Sequence, residues 1–272
     1  MVNVNPPDML WLTDTTYRPL FDNCHVSPIG LGTVKMGRNR GVKYPRSFKI
    51  PNDRDVANLL ALAYDLGINL IDTAPAYGNC ESRLGAILSN RHQWVICTKA
   101  GEYFDGQKSS FDFSPEGLTN SVEQSLRRLA TDYLDVVLLH LPDDDLSTLS
   151  SEALTALSKL KERGLIRAIG ASTKSTPAGL LAVEDYDVVM IAYHQQDTTQ
   201  QAVLDAAHAS SRGVMIKKGL QSGHSGSPDE YLRFLMATSM SSVIVGTINP
   251  SHLAANVATI AQVITANGSS LR

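Results

Sequence analysis

Gly67-Ile68-Asn69-Leu70-Ile71-Asp72-Thr73-Ala74-Pro75-Ala76-Tyr77-Gly78 is the stretch that decides the fold. It reads as a helix stop, a short apolar strand, a polar strand end and a loop. Gly67 supplies the stop, because glycine closes a helix in the left-handed conformation at little cost. Asp72 falls at the carboxyl end of the strand, and Tyr77 lies five residues on, in the loop. Upstream, Asn52 or Asp53 caps a helix whose apolar residues Val56, Leu59, Leu60, Ala63 and Leu66 recur at helical spacing.

The same unit repeats downstream. Helix Glu81 to Ser89 leads to strand Trp94 to Lys99. Ser114-Pro115-Glu116, a cap followed by a first-turn proline, opens a helix to about Leu129, before strand Leu134 to His140. Helix Ser151 to Arg163 precedes strand Ile166 to Ala171, and Thr176-Pro177 opens a short helix before strand Asp187 to Tyr193. Helix Thr199 to Ser210 precedes strand Val214 to Lys217. A helix from Ser227-Pro228-Asp229 to about Met236 leads to strand Ser242 to Val245. Asn249-Pro250 caps a last helix carrying Leu253, Val257, Ile260 and Ile264. Upstream of the quoted stretch, Pro28 to Thr33 is the first strand of the series, and Tyr17 to Ile29 reads as a small hairpin around Asp22-Asn23. A basic loop, Val34 to Pro51, joins that strand to the first helix.

Eight strands alternating with eight helices imply parallel strands joined by crossover helices. At this length the pattern predicts an α/β fold, a closed TIM (β/α)8 barrel with an N-terminal β-hairpin. No linker-like stretch divides the chain, so residues 1–272 are expected to form one domain, with 1–16 a loose arm and 268–272 a frayed tail. The active site of such a barrel lies at the carboxyl ends of its strands. Asp72, Lys99 and His140 end the second, third and fourth strands, which makes them neighbours on that rim, with Tyr77 in the adjoining loop.

These four groups suit one task. A phenol with an ordinary pKa of ~10 is a weak acid at neutral pH, and an ammonium beside it favours the phenolate. Lys99 can act so on Tyr77, with Asp72 holding the amine, while His140 hydrogen-bonds a substrate oxygen or steadies the tyrosine. Singly, each residue has a plainer reading: a helix cap for Asp72, packing for Tyr77, a surface or hydrogen-bonded group for Lys99 and His140. Their placement at three adjacent strand ends favours a catalytic site built around a proton donor.

Bulk properties narrow the class. The chain has 272 residues, 43% of them hydrophobic, and a formal net charge of -3, which gives no general attraction to nucleic acid or anionic lipid. No apolar run approaches the ~20 residues of a membrane span. The start lacks the basic and apolar regions of a signal peptide. Three scattered cysteines, Cys24, Cys80 and Cys97, argue for a reducing compartment. A cytoplasmic protein is expected, monomeric by default, with neither nucleic-acid nor membrane partners. No Cys or His pair has zinc-ligand spacing, so no metal is expected. Gly30-Leu31-Gly32 lacks the third glycine of a Rossmann fingerprint.

Asp72-Thr73-Ala74-x-x-Tyr77-Gly78-x-x-Glu81-x-x-Leu84-Gly85, then Thr98-Lys99, then Leu138-Leu139-His140, resembles the aldo-keto reductase superfamily. Ile169-Gly170-Ala171-Ser172 and Gly246-Thr247, with Asn256 further on, fit the same pattern, and the resemblance runs from about Pro28 to Asn256. It implies a barrel with NADP(H) or NAD(H) across its rim and hydride transfer between nicotinamide and a small carbonyl or alcohol substrate. It also implies Tyr77 as general acid, Lys99 and Asp72 as its tuning pair and His140 as the group that orients the carbonyl.

By the same resemblance, Gly32 and Thr33 approach the nicotinamide half and Ser172 binds its carboxamide. Thr173 stands where the family often has Asn, Met190 where it has Gln, and Lys217, followed by Lys218 and Leu220, where a tyrosine often stacks. Weaker or differently arranged nicotinamide binding is therefore expected. Around the adenosine, Gly246 and His252 replace the usual cations, while Thr247, Asn249 and Asn256 remain as hydrogen-bonding groups. That leaves the choice of NADP or NAD open, with the basic loop from Arg38 to Lys49 as a candidate source of the missing charge. The short Asp143-Asp144-Asp145 loop and the short tail predict an open pocket. A second reading is a cofactor-binding regulatory or sensor protein with little turnover.

Overall fold

The computed structural model describes residues 12–142, 146–224 and 226–269. Most of the expected arm (1–11), the Asp143 to Asp145 loop and the end of the tail (270–272) lie outside the described residues. The strands are β1 Arg18–Phe21, β2 Cys24–Val26, β3 Ile29–Gly32, β4 Leu70–Asp72, β5 Val95–Ala100, β6 Glu102–Phe104, β7 Ser109–Phe111, β8 Leu134–His140, β9 Ile166–Ser172, β10 Val188–Ala192, β11 Gly213–Lys217 and β12 Ser242–Val245. The helices are α1 Val34–Gly37, α2 Asp53–Asp65, α3 Cys80–Ile87, α4 Pro115–Leu129, α5 Ser151–Glu162, α6 Thr176–Asp185, α7 Gln201–Ala209, α8 Pro228–Met236 and α9 Pro250–Ser269.

Strands β3, β4, β5, β8, β9, β10, β11 and β12 are parallel and close into a barrel in that order, with β12 paired back to β3. Two caps read from the sequence hold their helices: Asn52 Oδ1 accepts the Asp55 N–H and Ser114 Oγ that of Gly117; at α5 the cap is Ser150, whose Oγ accepts the Ala153 N–H. Gly67 and Gly164 end α2 and α5 at φ +79 and +75.

Two apolar cores follow from the two faces of each strand. Outward residues such as Ile71, Ile96, Val137 and Ile169 pack with the helices. Inward residues Leu70, Cys97, Val136, Leu138, Ala168, Val188, Met190 and Met215 fill the barrel and meet Leu20, Phe21, Cys24 and Val26 of the hairpin β1–β2. The hairpin is thus the plug of the amino-terminal end, which leaves the carboxyl-terminal end as the open mouth.

The sequence rhythm missed two pieces. The loop expected from Val34 begins with the single helical turn α1, and a second hairpin, β6–β7, stands on the mouth just after Lys99. Strands of three residues carry no readable period.

Candidate active site

The alternation that packs the barrel also builds its mouth. Leu70 points inward, so Asp72 does; Cys97 inward brings Lys99, and Val136 and Leu138 bring His140. Further round the ring the same rule carries Ala168 to Ser172 on β9 and Met215 to Lys217 on β11. Neighbouring strands keep these ends level, with Gly32 beside Asp72 and His140 beside Ser172.

Among the four catalytic candidates, Lys99 Nζ donates to Asp72 Oδ1 at 2.5 Å and to the Thr73 carbonyl at 2.9 Å. Both side chains are almost wholly buried, and the ammonium lies 4.8 Å from the centre of the Tyr77 ring. The Tyr77 and His140 rings meet edge-on, 6.4 Å between centres. Burial disfavours charge on Lys99, but Asp72 and Tyr77 outweigh it and hold the amine protonated well above its usual range. Tyr77 departs from the expected direction. Burial lifts its phenol above the ordinary 10.0, and Lys99 offsets this only in part, with Asp72 raising it further. A phenolate in this closed corner loses more solvation than one ammonium returns.

The Tyr77 loop is tied to the chain that follows β3. Thr33 Oγ1 donates to the Asp72 carbonyl at 2.9 Å, and Arg38 Nη1 to the Ala76 carbonyl at 3.0 Å. Behind β5, Thr98 Oγ1 donates to the buried Glu81 at 2.7 Å, and Arg128 reaches the same carboxylate, locking α3 and α4 to the strand that carries Lys99.

A carboxylate beside the four candidates was not foreseen. Glu102, on β6, places Oε2 2.7 Å from His140 Nδ1. Its other oxygen accepts from Ser109 Oγ at 2.5 Å and lies 3.8 Å from Arg38 Nη1. Burial alone raises this carboxylate, yet His140, Ser109 and Arg38 bring it down to about 2. His140 is shifted below its ordinary value, because desolvation outweighs Glu102. A glutamate three residues past Lys99 has no sequence signal of its own, since it needs the unforeseen β6–β7 hairpin to reach the histidine.

The residues 28–216 match the sequence pattern of the aldo/keto reductase family. The chain belongs to that family. It is an aldo-keto reductase type oxidoreductase using NAD(P)(H). The chain is 31% identical to the D-threo-aldose 1-dehydrogenase of a Pseudomonas species, over 73% of this chain and 67% of the relative. It is 37% identical to Arabidopsis thaliana L-galactose dehydrogenase over 53% of this chain, and 34% identical to the NADH-specific methylglyoxal reductase of Escherichia coli over 54%. Those two alignments span under half of each relative, 44% and 48%. A solved Pseudomonas aeruginosa structure described as an aldo-keto reductase superposes with a TM-score of 0.86 at 44% identity, covering 93% of this chain and 97% of that one. The holo form of a Bacillus halodurans aldo-keto reductase, at 22% identity and a TM-score of 0.76, shares the fold.

In this aldo-keto reductase a cleft of about 370 Å³ opens beside the four candidates, lined by Gly32, Thr33, Asp72, Tyr77, His140, Lys217, Lys218, Leu220, Gly246, Thr247, His252 and Asn256. Lys35, Tyr44 and Lys174 line it too and were not foreseen. Ser172 meets Lys217, whose Nζ donates to its Oγ at 2.9 Å. Thr173 and Met190 are buried outside the lining, Met190 within the barrel core. Asn249 is also outside it: its Oδ1 caps α9, accepting from the Ser251 and His252 amides. Arg38, in the basic loop, is held by Ala76 and Glu102 instead.

The lining fits a dinucleotide. Among the described residues, Lys35, Lys174, Lys217 and Lys218 face a cleft whose one carboxylate, Asp72, is already paired with Lys99. Gly32 and Gly246 leave backbone where a side chain would fill the space; a Cβ on Gly246 would stand 3.1 Å from the Tyr44 hydroxyl. Among the described residues no metal-binding cluster and no helix long and apolar enough to cross a membrane is present.

Proposed function

We propose that the protein interconverts a small carbonyl compound and its alcohol, with Tyr77 as the general acid in reduction and the general base in oxidation. The observation that carries this reading is the buried Asp72–Lys99 pair set against the Tyr77 ring at the barrel mouth. A bound dinucleotide would supply or accept the hydride. Gly32, Thr33, Lys35, Lys217, Lys218, Leu220, Gly246, Thr247, His252 and Asn256 would hold it, the lysines answering its phosphates. Lys99, kept charged by Asp72, stabilises the phenolate left when Tyr77 gives its proton to the carbonyl oxygen. His140 borders the same space and hydrogen-bonds that oxygen.

The named relatives act on aldoses, L-galactose and methylglyoxal. Small polar aldehydes and cyclic sugars are therefore the proposed substrate class. The intact group of four favours turnover over a purely regulatory role. The test is dinucleotide turnover by purified protein, with NADPH or NADH against aldehydes and keto-sugars and with NADP or NAD against aldoses. Measurable turnover on a member of this panel is expected; binding of either dinucleotide with no turnover on any would favour the regulatory reading.

A further inference from the structure

His140 Nδ1 is closed off from solvent and makes no hydrogen bond of regular angle among the described residues. The group beside it is the Glu102 carboxylate, 2.7 Å away. A carboxylate only accepts, so the ring nitrogen facing it must carry a proton. The two nitrogens of an imidazole lie on different edges, and His140 lines the cleft. A neutral ring with its proton on Nδ1 presents a bare Nε2 to the reactant. It becomes a donor there only as the imidazolium.

We propose that Glu102 is a positioning residue for the reaction. It fixes the proton of His140 on Nδ1, so that Nε2 accepts a hydrogen bond from the reactant when the ring is neutral and donates one when the ring is charged. This rests on the function proposed above, and it makes turnover depend on the titration of one histidine.

The surroundings of the ring make Glu102 the decisive partner. Lys99 on β5 and Lys217 on β11 both disfavour the imidazolium, as does burial, and Glu102 on β6 is the group that favours it. Tyr77 meets the ring edge-on. Glu102 is itself fixed: Ser109 on β7 donates to one oxygen, and Arg38, which follows α1, stands 3.8 Å from it with its guanidinium 3.5 Å from the centre of the Phe104 ring. The β6–β7 hairpin thus holds a carboxylate against the back of His140 as a built feature, with three of its neighbours in place.

The test is nitrogen-15 NMR of histidine side chains in wild type, Glu102→Gln and Glu102→Asp, with His140 assigned by comparison with His140→Gln. Wild-type His140 is expected to show the Nδ1–H tautomer above its titration midpoint. In Glu102→Gln the midpoint moves down by about one pH unit or more, and the His140-governed limb of kcat/KM against pH moves with it. Dinucleotide Kd stays unchanged, and Glu102→Asp returns the midpoint toward wild type. An Nε2–H tautomer in wild type, or an unmoved midpoint in a folded Glu102→Gln protein, overturns the proposal. If wild type turns over no substrate of the panel, the catalytic reading falls, while the NMR result still decides whether Glu102 governs His140.

Discussion

Tyr77 is under two opposed influences, and the balance decides its chemistry. Burial keeps the proton on, and Lys99 eases it off. In the protein without dinucleotide, a difference titration of wild type against Tyr77→Phe should show the Tyr77 phenolate only above pH 10. A phenolate appearing at pH 8 would mean that Lys99 outweighs burial. Lys99 itself answers to Asp72. Lys99→Met leaves that carboxylate buried without its cation, which should lower stability by about 3–5 kcal/mol in chemical denaturation; a loss under about 1 kcal/mol would show that Asp72 finds another partner. The sequence showed Asp72 and Lys99 because each ends an apolar run with a polar side chain, and Tyr77 by its place in the loop that follows Asp72. It misjudged the direction of the Tyr77 shift, since strand ends reveal which groups are neighbours and not how much solvent they retain. Glu102 and Lys35 were unreadable for a different reason: one reaches the site from a short hairpin and the other from a single helical turn, neither long enough to show a period.

At the scale of elements, the loop carrying Tyr77 rests backbone to backbone on α1. Gly78 is at φ +67, and a Cβ there would overlap the Gly37 carbonyl oxygen; a Cβ on Gly37 would overlap the Tyr77 carbonyl. Gly164, at φ +75, has nothing within 4 Å of its missing Cβ. Gly164→Ala should therefore cost only the left-handed conformation, about 1–2 kcal/mol. Gly78→Ala should cost more in the same denaturation series and also lower turnover, because the seam that positions Tyr77 must open. Equal costs with unchanged turnover would show that the seam yields freely. The eight-fold alternation of helices and strands was legible from caps, glycine stops and apolar runs, as at Ser114-Pro115 and Gly67. Asn249 was read both as the cap of the last helix and as a ligand contact, and its side chain is occupied as the cap of α9.

The whole molecule divides its tasks between two ends. The hairpin β1–β2 fills the bottom of the barrel, and Leu20→Ala should cost about 2–5 kcal/mol of stability while kcat stays near wild type, since the mouth is built by the other ends of the strands. The mouth gathers lysines from β11, from the turn after it, from the segment after β9 and from α1. Dinucleotide Kd should then rise with ionic strength, as screening weakens attraction between the cleft and the phosphates. The most direct measurement of the central claim compares Tyr77→Phe with wild type in turnover and in dinucleotide affinity. The predicted result is a fall in kcat of roughly a hundredfold or more with nearly unchanged dinucleotide Kd. Wild-type rates in Tyr77→Phe on every substrate that wild type turns over would contradict it.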